Sequence, residues 1–183
     1  MPLLPREPDL SPDDLFELSG ERFPWGVAHV RSRQEKGLAR YLAERAVPFY
    51  LPQYESKTLR AGRTFRSYLP LFPGYLFFRG DRDARDAVRK SNLVANVIDV
   101  ADADLLAAQL RQIRELQLAG ASLQPYDALV PGDPVRIRDG SFSGYTGVIV
   151  REKGSDRLVV QVALINRAVT VEFERGVLTR ATR

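Results

Sequence analysis

Residues 69–78 read Leu69-Pro70-Leu71-Phe72-Pro73-Gly74-Tyr75-Leu76-Phe77-Phe78, the densest run of bulky apolar and aromatic side chains in the chain. An uninterrupted apolar stretch of this length predicts a buried central strand. Pro73 has no N–H to give to a ladder, and Gly74 accepts backbone angles that other residues avoid. The pair therefore predicts a bend or bulge just before the strand, with Phe72 and Tyr75 on either side of it.

Working outward, Trp25-Gly26-Val27-Ala28-His29-Val30-Arg31 is rich in strand formers and predicts a first strand. Ser32 and Glu35 have the spacing of a capping box, and Leu38, Tyr41, Leu42 and Ala46 recur at helical period, so a helix is expected over about 33–46. Pro48 to Tyr54 reads as a second strand. Ser56 to Arg66, with Ala61-Gly62 at its centre, reads as a basic hairpin leading back into the central strand. A short helix is expected over about 82–90 and a further strand over 93–100. A third helix, capped by Asp102, carries Leu105, Leu106, Leu110, Ile113 and Leu116 and stops at Gly120. This order predicts an α+β domain over residues 22–118, an antiparallel sheet with flanking helices in the ferredoxin-like split βαβ arrangement.

Residues 119–128 lack an apolar period and read as a linker. Beyond it, 129–183 offers five short β-rich runs, at Pro134 to Arg138, Tyr145 to Glu152, Arg157 to Ala163, Ala168 to Phe173 and Val177 to Thr179, separated by turn residues. That spacing predicts a small SH3-like β-barrel. The β-branched runs and interspersed glycines argue against a helical hairpin there. Gly140, Gly144 and Gly147 are read as turn and bulge positions, since no helix or phosphate-binding lysine follows them.

The composition excludes several chemistries. There are no cysteines and one histidine, His29, so disulfides, thiolate zinc sites, a cysteine nucleophile and a multi-histidine metal cluster are out. No paired acids stand at metal-ligand spacing and no nucleophile stands beside a base, so no catalytic residue, metal or cofactor is expected. Without an apolar run of membrane length or a signal sequence, the expectation is a cytoplasmic protein. The net charge of +4 is unevenly placed. The first 20 residues hold Glu7, Asp9, Asp13, Asp14 and Glu17 against Arg6, a net −4, with four prolines. Residues 1–21 are accordingly expected to be a disordered acidic tail. Residues 31–66 carry a net +6, and the expected helix start is ringed by Arg31, Arg33 and Lys36, where the helix dipole also favours a phosphate.

Trp25, the Leu71-Phe72-Pro73-Gly74-Tyr75-Leu76-Phe77 run, and Pro131-Gly132-Asp133-Pro134-Val135-Arg136-Ile137 with Gly144-Tyr145-Thr146-Gly147-Val148-Ile149 together resemble the NusG family of transcription elongation factors, the last two stretches resembling its KOW motif. The resemblance implies a non-enzymatic, monomeric factor whose N-terminal NGN domain binds the clamp coiled coil of RNA polymerase, suppressing pausing or termination. It carries over polymerase contact to Phe72 and Tyr75, with Trp25 underneath, and approach to non-template DNA to Arg31, Arg33 and Lys36. For the KOW domain it implies partner contacts at Phe142, Ile165 and Arg167, with the ribosome or Rho as partner classes. Leu164-Ile165-Asn166 stands where general members have a Phe-Gly pair, and resembles the specialised RfaH-type branch. A ribosome- or RNA-associated KOW protein without polymerase binding is the alternative.

Overall fold

The computed structural model describes residues 7–18, 23–126, 135–136, 143–152 and 155–173. The chain forms two compact units, residues 1–107 and 108–183.

The first unit is built on one antiparallel sheet. Its strands are β1 (Leu10–Ser11), β2 (Trp25–Val30), β3 (Phe49–Tyr50), β6 (Tyr75–Arg79) and β7 (Val94–Ile98), in the spatial order β1-β3-β6-β2-β7. Without β1 this is the ferredoxin-like order, and the stretch around Tyr75 is its central strand, as the apolar run predicts. Helices α1 (Glu35–Ala43) and α2 (Arg82–Lys90) supply Leu38, Ala39, Leu42 and Val88 to a core shared with Ala28, Val30, Phe49, Leu76, Phe78 and Val97. Phe78 lies so close over Gly26 that a Cβ there would meet its ring at 2.4 Å.

Between β3 and β6, strands β4 (Gln53–Arg60) and β5 (Arg63–Pro70) form a separate two-stranded hairpin, closed by Ala61 and Gly62 at φ 47° and 73°. Both central residues at positive φ match the strand twist, as the Ala61-Gly62 reading requires. Asp81 caps α2 by accepting from the amides of Asp83 and Ala84 at 2.9 and 3.2 Å. Asp102 accepts from Leu105 N–H at the start of α3 (Ala103–Leu118), as expected.

The N-terminal segment and the expected linker differ from the sequence reading. Residues 7–18 are not a loose tail, because β1 pairs with β3 and Leu10 and Leu15 are buried. The expected linker also contains strand β8 (Leu123–Tyr126), which pairs with β12 (Arg167–Phe173) in register from Ala168↔Tyr126 to Val171↔Leu123. It is an edge strand, the place in a sheet where a proline such as Pro125 is tolerated.

The second unit completes a five-stranded antiparallel sheet in the order β8-β12-β11-β10-β9, with β9 (Val135–Arg136), β10 (Thr146–Glu152) and β11 (Ser155–Val162). The strand reading of this region therefore holds, although the run expected at 177–179 lies outside the described residues. The unit boundary falls inside α3. Gln112 clamps the main chain of Thr146, with its carbonyl accepting from Thr146 N–H at 3.0 Å and its amide donating to Thr146 O, while Gln109 accepts from Ala163 N–H at 3.3 Å. The second half of α3 is thus part of the β-rich unit. A fragment of residues 108–183 is expected to melt cooperatively by circular dichroism, whereas 129–183, lacking β8 and the glutamine clamps, is expected to melt earlier and more broadly. Identical melts would contradict the assignment.

Candidate docking face and nucleic-acid interface

The bend at Phe72-Pro73-Gly74-Tyr75 is a type II turn. Tyr75 N–H donates to Phe72 O at 3.0 Å, Pro73 occupies the first central position and Gly74 the second, at φ +82°. Two further bonds hold it. Val30 N–H donates to Gly74 O at 2.7 Å, and Gly74 N–H donates to the buried Glu35 carboxylate at 2.8 Å. Glu35 is therefore not the partner in a capping box. The N-cap is Gln34, with no side-chain cap bond, because Arg33 sits at φ 62° and delays the helix to Glu35. A side chain read as a local cap instead joins α1 to the turn 39 residues away.

The turn sets the register of β6 against β2, and this arranges one face of the sheet in rows. Trp25 stands opposite Arg79, Val27 stands between Phe77 and Ile98, and His29 stands between Tyr75 and Asn96. The last row is open. His29 and Asn96 are exposed and Tyr75 is half-buried, its ring stacked on the His29 imidazole at 5.3 Å between centroids. The first two rows are closed. Trp25 is 4% exposed, and Phe72 is 1% exposed and meets Phe77 edge-on at 5.8 Å.

Of the three aromatics expected to contact polymerase, only Tyr75 thus offers substantial surface; Trp25 and Phe72 are interior residues in this chain. His29, noted in the sequence only as the chain's single histidine, is Tyr75's stacking partner. Its signal was its place four residues after Trp25 on the same strand face. Arg31 and Arg33 are exposed and Lys36 half-exposed, so the expected cationic group does present charge at the start of α1. Arg40, one turn further, is paired with Glu7.

In the second unit, Ile165 lies in a short 3₁₀ turn (Ala163–Ile165) closed by Asn166 at φ 55°, and it is buried, so its side chain is not a surface contact. Its neighbour Leu164 is half-exposed, as is Arg167, and Phe142 lies outside the described residues. Burial, with the Glu115 carboxylate adding to it, raises the pKa of the Tyr145 phenol above its ordinary value. Among the described residues no cluster of three or more His, Cys, Asp or Glu has the geometry to hold a metal, and no helix is long and apolar enough to cross a membrane.

A ferredoxin-like unit with an open aromatic row and exposed cations at the start of α1, followed by a β-rich unit, gives the chain two structural modules. A family profile described as "Transcription termination factor nusG" matches residues 23–117. The chain is 27% identical over 171 residues to the transcription termination/antitermination protein NusG of Pseudomonas aeruginosa, covering 82% of this chain and 94% of that protein. It is 27% identical over 142 residues to NusG of Escherichia coli, covering 72% and 76%, and over 135 residues to NusG of Yersinia pestis, covering 68% and 72%. The chain belongs to the NusG family, which makes it a transcription termination/antitermination factor by descent.

The different burial of the turn's aromatics has a measurable consequence. Phe72→Ala is expected to cost about 3–5 kcal/mol in urea unfolding, as for truncation of a core phenylalanine. Tyr75→Ala is expected to cost about 1 kcal/mol, the scale of a lost aromatic pair at the surface. Equal losses would contradict the division.

Proposed function

We propose that this chain is a transcription elongation and antitermination factor that binds RNA polymerase through its N-terminal unit, lowers pausing or termination, and recruits a second factor through its β-rich unit. The observation that carries the reading is the stacked Tyr75–His29 pair, held at the open end of the sheet by the Gly74 turn, within the stretch that matches the transcription-factor family. An aromatic held beside a rigid bend loses little freedom when a partner helix covers it, which is the character of an interface hot spot. Arg31, Arg33 and Lys36 fit the nearby non-template strand. Half-exposed Arg167 is the accessible described residue of the expected partner patch on the second unit, and Leu164, next to the buried Ile165, is half-exposed beside it, with the ribosome or Rho as partner classes. Leu164-Ile165-Asn166 favours the specialised RfaH-type branch.

One observation favours the second reading, an RNA- or ribosome-associated protein. On the free-standing β4–β5 hairpin, Arg60 stands opposite Arg63, a cross-strand pair that repels unless an anion lies between them, and Lys57 stands opposite Arg66, which is paired with Glu55 at 3.3 Å. Binding to a reconstituted elongation complex, with free structured RNA as competitor, separates the two readings.

Tyr75→Ala is expected to weaken binding to the elongation complex by about 2 kcal/mol. Unchanged affinity of the folded variant would remove Tyr75 from the interface. Replacing Arg31, Arg33 and Lys36 together is expected to lower the slope of log affinity against log salt by up to about 3, roughly one per lost phosphate contact. An unaltered slope would make these residues a solvated face.

A further inference from the structure

The segment before the family-matched stretch does something its charge does not announce. Residues 7–18 lie against the same sheet face that carries the Tyr75–His29 row. Phe16 packs on Trp25 at 5.8 Å and edge-on to Tyr50 at 5.3 Å, and Leu15 is fully buried. Asp9 O accepts from Leu51 N–H at 2.6 Å, and the Asp9 carboxylate and Glu7 O accept from the Gln53 amide at 2.9 and 3.2 Å. The Arg79 guanidinium donates to Leu15 O at 3.1 Å and to Leu18 O at 2.5 Å. Outward, the segment shows Asp13, Asp14 and Glu17, all exposed. It is an acidic strap with an apolar underside.

Two properties make this strap exchangeable. Its strand pairing is only two residues long, Leu10↔Tyr50 and Ser11↔Phe49. It also lies outside residues 23–117, so the matched fold is defined without it. Lifting it would uncover Trp25 and Tyr50, on the sheet face that also carries the exposed Tyr75–His29 row. A bare patch of that kind calls for a cover or a partner.

We infer that residues 7–18 are an intramolecular competitor for the docking face: the strapped chain is the low-affinity form, and an apolar helix of the polymerase takes the place of Leu15 and Phe16 on Trp25 and Tyr50. The inference rests on the polymerase reading above. A ligand that needs the open form binds with an affinity reduced by the fraction of chains that are open, so weakening the strap tightens binding.

The test uses the full-length chain with Leu15→Ala and Phe16→Ala together, and wild type, titrated into a reconstituted elongation complex. The double variant is expected to bind about tenfold more tightly or better. In parallel, hydrogen exchange on the wild-type chain is expected to show Leu51 N–H losing protection when polymerase is added, since its acceptor is Asp9 O. This second measurement stands even if the double variant folds poorly. Equal or weaker binding by a natively folded double variant, or a Leu51 amide that stays protected in the complex, overturns the strap while leaving the polymerase reading in place. Absence of binding by both chains overturns the polymerase reading and the strap with it.

Discussion

The hydrogen bond from Gly74 N–H to the Glu35 carboxylate is the constraint on which the functional half of the molecule depends. A buried carboxylate is costly unless its oxygens are satisfied, and here a main-chain donor at a positive-φ glycine supplies the partner. The bond fixes the start of α1 to the turn, and Val30 N–H on Gly74 O fixes β2 to the same residue. Helix α1, strand β2 and the central strand β6 thus meet at one residue. Tyr75, next in the chain, inherits its position on His29 from that junction, and the Arg31–Lys36 group inherits its place beside it.

The sheet face that follows from this register grades from interior to surface within three rows. Near Trp25 it is covered by the acidic strap; near Tyr75 it is open. The strap also draws Arg40 into a pair with Glu7, so the N-terminal acids modulate the basic side of the domain as well as the aromatic one. In the second unit the glutamines of α3 act in the same manner as Glu35, with side chains satisfying main-chain groups of another element.

What was legible in the sequence was what is local. Phe72-Pro73-Gly74-Tyr75 announces a bend, Ala61-Gly62 a hairpin turn, and Asp102 a helix start, because each signal and its consequence lie within four residues. The misread features are all long-range. Ser32 and Glu35 had the spacing of a capping box, but spacing could not reveal that Gly74 would claim the carboxylate. Acidic residues and prolines made 7–18 look disordered, since composition weighs charge along the chain and not the three apolar residues Leu10, Leu15 and Phe16 that find Tyr50 and Trp25. Leu123–Tyr126 has no period of its own and becomes a strand only against β12. The candidate site followed the same rule: the identity of its aromatics was readable, whereas the burial of Trp25, Phe72 and Ile165 was not, because depth is set by neighbours distant in sequence.

The central claim, that the Gly74 junction shapes a surface acting on transcription, is tested most directly by pause kinetics. Purified full-length protein added to an elongation complex halted at a defined pause is predicted to shorten the pause lifetime in a saturable, concentration-dependent way. A lifetime that stays constant up to concentrations at which the protein visibly occupies the complex would contradict the account.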